Sequence, residues 1–339
     1  MAYQVSGSEK IKDDNTVTFK NVTVKNYYTV MPAPAASYVF QGSTSGYTSG
    51  GQNPPVAPAA GFNTIDKFPF SSDANATDVG DLTLVRTQLA GQSSAENGYS
   101  TGGYTGSTSN VIDKFPFSSN ANASDVGDLS VVRFGVAGQS SNLNGYTSGG
   151  RTTADDNIID KFPFTADANA TDVGDLSYGR AYSHGQSSSS DGYTSGGNPN
   201  GTPYTYLTTI DKFPFSSDAN AVANADLSFA RTQVSGQSST THGYTAGGFI
   251  PPYTNIIDKF PFASGGTSSD VGDLSQTRVV ETGQSSTASG YASGGSAPGP
   301  YFSSVTVTTI DKFPFSSDAN ATDVGDLTQA RSIGAGQQV

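Results

Sequence analysis

One string, Asp-Lys-Phe-Pro-Phe, occurs six times in the chain, and its even spacing restricts the fold more than any other feature. Its lysines are Lys67, Lys114, Lys161, Lys212, Lys259 and Lys312, at intervals of 47, 47, 51, 47 and 53 residues. A second string, Gly-Tyr-x-x-Gly-Gly, starts at Gly46, Gly98, Gly145, Gly192, Gly243 and Gly290. A third, Val-Gly-Asp-Leu followed four residues later by Arg, occurs in five repeats; in the fourth, Ala225-Asp226-Leu227 stands in its place. A unit of about fifty residues repeated six times suits a repeat architecture with many small cores rather than one large one.

Each unit holds four short segments: one ending in Gly-Gln-Ser-Ser, then Gly-Tyr-x-x-Gly-Gly, then Ile-Asp-Lys-Phe-Pro-Phe, then Asp-Leu through Arg. Four strands per unit make a propeller blade, so the reading is all-β, a six-bladed β-propeller over residues 37–339. The glycines closing the second segment are expected to let backbones approach near the hub. Composition agrees: 34% hydrophobic content is low for one packed core, while 17 Tyr and 19 Phe supply large apolar area and 40 Gly and 17 Pro supply tight turns. Almost no helix is expected. The segment Ala330 to Gln337 matches Ala230 to Gln237, the end of one unit and the start of the next, whereas the first clear element is the second segment at Gly46. The C-terminal strand should therefore complete the first blade and remove two sheet edges.

The Gly-Gly pair after an aromatic, with an Arg closing the unit, resembles the kelch and galactose-oxidase class of propellers, although the tryptophan usual in kelch repeats is missing. A further resemblance lies in Ser71-x-Asp73-x-Asn75-x-Thr77, which looks like the aspartate box of sialidase-type propellers. It recurs at Ser316 to Thr322 and, with substitutions, at Ser118 to Ser124 and Thr165 to Thr171; Ala263 to Thr267 departs from it. That resemblance implies polar side chains tying down a hairpin turn. Oxidase chemistry of the galactose-oxidase kind implies copper held by Tyr and His beside a thioether-linked Cys. This chain has no Cys, and its two histidines, His184 and His242, fall at different positions of successive repeats and read as solvated turn residues. No catalytic residue, metal or cofactor is expected. Asp73, Asn75, Asp78 and Asp81 offer oxygen at short spacing, but not at EF-hand spacing; turn capping explains them, with Ca²⁺ ligation as the alternative. Asp66-Lys67 and Arg86, with their equivalents, are expected to pair structurally between strands. Sequons at Asn21, Asn75, Asn122, Asn169 and Asn320 matter only under eukaryotic secretion.

A net charge of −12 and a pI near 4.4, with no basic cluster, argue against nucleic acid and against anionic lipid as partners. No apolar run reaches membrane-span length, and the start lacks the pattern of a signal peptide.

Function is expected in the variable connections. Between the second and third segments the linkers contain 13, 8, 8, 12, 8 and 14 residues, and they should share a face with the connections between units. That face would display Tyr104, Arg151, Tyr204, Tyr206, Phe249, Tyr253, Tyr301 and Phe302, aromatics suited to stacking on sugar rings or, alternatively, packed on one another as cover. Its linkers carry only Asp155 and Asp156 as carboxylates, adjacent in sequence, which disfavours a glycosidase. Residues 1–36 lie outside the repeat. Thr16 to Val24 alternates like a strand and Met31 to Ala36 reads as a stiff linker, so Phe19, Val22, Val24, Tyr27 and Tyr28 are assembly candidates, docking on a copy of the chain or a larger assembly. The arm resembles attachment segments of phage tail-fibre proteins, and the repeats are similar to propeller proteins of marine phages. The resemblance implies a non-enzymatic virion surface protein. Its arm would grip virion proteins or other copies, and its loops a host polysaccharide or receptor. The alternative is a purely structural decoration or fibre subunit.

Overall fold

The computed structural model describes residues 40–53, 60–199, 205–299 and 304–339, and contains no helix among them. Six four-stranded antiparallel sheets follow one another around a ring. In the second blade the strands run from the hub outward as Ala90–Ser93, Asn97–Thr101, Val111–Pro116 and Ser124–Asp128. The first blade is built from both ends of the described chain: Ala335–Gln338 pairs with Ser45–Ser49, placing Ala335 opposite Ser49 and Gln337 opposite Tyr47. The expected ring closure is thus observed. The fourth strand is not where the repeat suggested: it is Thr77–Asp81, ahead of Leu82, and Arg86 lies beyond it in the connection to the next blade. The six arginines lie in the connections between blades, with their guanidinium groups reaching across the seam.

The repeated strings are two-sided. Along Thr64–Pro69, alternate residues address opposite neighbours, as the pleat requires. Asp66 and Phe68 face the preceding blade, where Asp66 accepts from Arg331 at 2.8 Å and Phe68 tilts against Tyr291 at 5.5 Å between ring centroids. Ile65 and Tyr47 face the following blade, where Tyr47 packs on Phe115 and Phe117. Gly46 leaves room for the Phe68 ring to lie across it; a methyl group there would overlap the ring. Every seam repeats this cluster of Tyr, Ile, Leu and two Phe, so six small cores replace one large one. Beside each cluster an Arg–Asp pair crosses the seam at 2.7–2.9 Å with both side chains buried. The Arg86 guanidinium also donates to the carbonyls of Ser100, Gly102 and Val111 through its two Nη atoms, while its Nε has no partner. The expected structural pairing of Asp66 and Arg86 types holds, between blades.

Apart from Thr77, whose hydroxyl donates to the Lys67 carbonyl of its own hairpin, the aspartate boxes act across the seam. Asn75 accepts from the backbone N–H of Asp326 at 3.1 Å, Ala76 donates to the Asp326 carbonyl, and Asp73 takes Lys312 at 2.9 Å. Each of the boxes that keeps this Asn therefore pairs with the last residue of its neighbour's outer strand, part of the edge where a propeller would otherwise invite strand addition. Asp78 accepts from Gly80 N within its own strand. Lysine follows the box: Lys114, Lys161, Lys259 and Lys312 pair with Asp167, Asp218, Asp318 and Asp73. Where the next box holds Asn120, Lys67 lies over the Tyr47 ring, and where it holds Gly265, Lys212 turns to Asp191 and the Tyr193 ring. The two departures visible in the repeats meet at one seam. Gly80 and its equivalents leave space for the box backbone, and in the fourth blade this residue is Ala225; the box facing it is the divergent Ala263 to Ser268. There Gly266–Thr267 instead adds a short parallel strand alongside Ala225 and Asp226.

At the hub the close approach is made by the inner-strand glycines, not by the Gly-Gly pairs. A methyl at Gly91, Gly138 or Gly283 would overlap the backbone of the adjoining inner strand. The Gly50-Gly51 pair, with φ of 65° and 99°, forms the left-handed turn that ends the second strand. Inner-strand glutamines bridge to the next blade: Gln92 donates to the Tyr146 carbonyl at 3.0 Å, and Gln337 to that of Tyr99 at 2.9 Å. The hub is thus a buried amide and hydroxyl network, which is why so little aliphatic residue is needed.

Candidate binding face

The linkers between second and third strands and the connections between blades do share a face, because they pair with one another. Thr87 bridges Tyr104, Phe134 bridges Arg151, Thr232 bridges Phe249 and Val279 bridges Ser296, while Arg180–Ala181 pairs with Asn198–Pro199. Each pairing holds a variable linker down on the rigid ring.

The expected aromatics separate into two groups. Tyr104, 40% exposed, meets Phe134 edge to face at 5.8 Å; Phe134 meets Tyr182 at 6.3 Å, and the Arg151 guanidinium lies 5.7 Å from the Tyr182 ring. Arg151 is held by Asp155 and by the Asn198 amide oxygen, and its bond to Asp155 raises its pKa further. Asp155 is therefore engaged, while burial raises the pKa of Asp156 against the field of Arg133. In the second group Tyr206 and Tyr253 both meet the Phe249 edge, at 5.9 and 5.6 Å, so these rings cover one another. Tyr204, Tyr301 and Phe302, and the arm residues Phe19, Val22, Val24, Tyr27 and Tyr28, lie outside the described residues.

Inside this rim the six blade connections close a collar around the ring axis. Gln88, Gly135, Tyr182, Gln233, Val280 and Ile333 occupy equivalent positions with φ between 54° and 65°. Each N–H donates at 2.8 Å to the carbonyl of the equivalent residue one blade back, from Gly135 to Gln88 and onward until Gln88 donates to Ile333. The left-handed backbone points each amide around the circle. It costs a non-glycine residue about 1–2 kcal/mol, and most for the β-branched Val280 and Ile333. Glycine serves at only one of the six positions, Gly135; the Tyr182 hydroxyl reaches across to donate to Gln88 Oε1 at 3.2 Å.

The collar surrounds a small depression open to solvent. Behind it the positions of Leu89, Val136 and Val234 are occupied in the last repeats by Glu281 and Gly334. Glu281 is 3% exposed; its Oε1 accepts from Ser235 Oγ at 3.4 Å, and its Oε2 has no hydrogen-bond partner. Burial pushes this carboxyl up to about 8, opposed by the nearby Arg278 and Arg231. His184 begins an inner strand and lines the same depression, with burial lowering its pKa, so it is not a turn residue. His242 begins a second strand and contacts Thr241, well removed in the repeat. Sequence reasoning missed Gln88, Phe134, Tyr182, Gln233, Val280, Ile333 and Glu281 by looking only at the longer linkers. A signal existed: the stretch between the invariant Arg and the invariant Gly-Gln varies among the repeats, with only Thr-Gln occurring twice in its first two positions.

No family model matches this chain, and no curated protein matches it. Among solved structures, one titled "Structure of YjhT" is similar, with a TM-score of 0.62 over 74% of this chain and 86% of that one. At 12% identity the likeness is one of fold.

Proposed function

We propose that this chain is a non-enzymatic surface protein of a virion that binds host-surface glycan through the face described above, with residues 1–36 attaching it to the particle. The observation that carries the binding reading is the chain of half-exposed rings Tyr104, Phe134 and Tyr182 with Arg151, which breaks the sixfold repetition on a scaffold too rigid to need reordering on binding. Aromatic planes beside a fixed guanidinium suit stacking on pyranose faces. Copies on one particle would multiply weak single sites. Cysteine-free, acidic composition suits a particle exterior.

The structural-subunit reading draws support from Tyr206, Phe249 and Tyr253, whose mutual packing leaves less ring surface for a ligand. Binding of the clustered protein to an array of bacterial surface polysaccharides separates the two. Wild type should bind and Tyr104→Ala/Phe134→Ala should lose at least tenfold; failure of clustered wild type to bind any array member favours the structural subunit.

A further inference from the structure

We infer that the axial collar is the specificity-determining contact of this face, and that it takes the uncharged terminal sugar residue of a glycan, seated end-on over the ring axis. The inference rests on the binding reading above and deepens it. Its ground is the choice of residue at a strained position. The closed circle of amides needs only a left-handed backbone, and glycine adopts that backbone freely, as Gly135 does. The chain nevertheless places Gln88, Tyr182, Gln233, Val280 and Ile333 there. All five are partly buried around the mouth of the depression and lie outside the seam cores, so packing of the seams does not account for them. Strain held outside the packed cores is retained for what the side chains contact.

The collar's chemistry selects the ligand. Gln88, Tyr182 and Gln233 line one arc with amide and phenol groups, and Val280 and Ile333 line the other with aliphatic surface. A pyranose has the same division, a hydroxyl edge and an apolar C–H face. No collar residue is charged, and a chain of net charge −12 repels acidic sugars.

The test compares wild type, Gln233→Gly/Val280→Gly/Ile333→Gly and Val280→Arg on an array of oligosaccharides ending in neutral hexose, neutral N-acetylhexosamine or an acid-bearing sugar. Wild type should prefer neutral termini. The triple glycine variant should melt at or above the wild-type temperature yet bind at least tenfold more weakly, and Val280→Arg, which keeps the collar backbone, should lose binding similarly. Either variant binding within twofold of wild type overturns the assignment, as does a fall in the triple variant's melting temperature, which would mean the side chains serve packing. A wild-type preference for acid-bearing termini overturns the ligand class. Wild type binding nothing sinks the binding reading itself, a result distinct from collar variants that bind normally.

Discussion

Replacing Glu281 by Gln should make the protein more stable at pH 8 and leave it nearly unchanged at pH 5. Glu281 occupies a position where three other blades carry Leu or Val, its Oε2 has no partner, and its carboxyl is pushed up to about 8 by burial. The folded pKa lies above the unfolded one, so the group weakens folding only where the unfolded chain would release the proton. Below about pH 4.5 both states are protonated and nothing is lost; as pH rises toward 8 the folded state must either hold the proton or bury a charge. One pKa unit is 1.36 kcal/mol, so a carboxyl moving from about 4.5 to about 8 costs roughly 3–4 kcal/mol of stability between pH 5 and pH 8. The facing charges, Arg278 and Arg231, are already contained in that shifted value. Denaturant unfolding of wild type and Glu281→Gln at pH 5, 6, 7 and 8 reads the effect as a difference between two proteins, which cancels His184 and every other shared group. Parallel stability–pH curves would refute the reasoning, because they would mean Glu281 ionises in the folded state as it does in water.

Removing Ala335 to Val339 strips the inner strand from the first blade and exposes the edge of Ser45–Ser49; circular dichroism should show loss of cooperative melting and gel filtration should show self-association. Arg86→Ala should cost about 3–5 kcal/mol by leaving Asp113 buried and unpaired, whereas Arg86→Met/Asp113→Leu should recover most of that loss in the same unfolding assay. Gly138→Ala should destabilise by at least about 2 kcal/mol, because the added methyl meets the Gly91 backbone of the neighbouring blade; a neutral result would mean the hub is looser than its geometry.

The blades, their number and the closure of the ring were legible because each depends on periodicity, which survives any error in placing a single strand. Strand boundaries were less so. Thr77–Asp81 hides its strand character because Asp78 and Gly80 are poor strand formers, retained for a local bond and for the approach of the adjacent box. The partners of Asp66, Lys312 and Asn75 were invisible for a different reason: each lies in another repeat, and a repeated sequence does not say whether a residue contacts its own unit or the neighbouring one. The collar escaped notice because left-handed backbone is usually read from glycine or asparagine, and five of these six positions carry neither. Tyr104 and Arg151 were found since their types stand out in Ser- and Gly-rich linkers, but Phe134 and Tyr182, the rings they meet, lie in connections only a few residues long.

The pairing of Ser49 with Ala335 spans 286 residues of chain. At synthesis rates of about 5–20 residues per second, the second strand of the first blade waits tens of seconds for the strand that completes it. Throughout that interval five blades can form in order while the first presents an open edge to any passing copy of the same inner strand. Ring closure is then a race between the chain's own late strand and one donated by a neighbour, and the outcome depends on how crowded the nascent chains are. Dilution during refolding should favour closed single rings, and concentration should favour chains linked by exchanged strands.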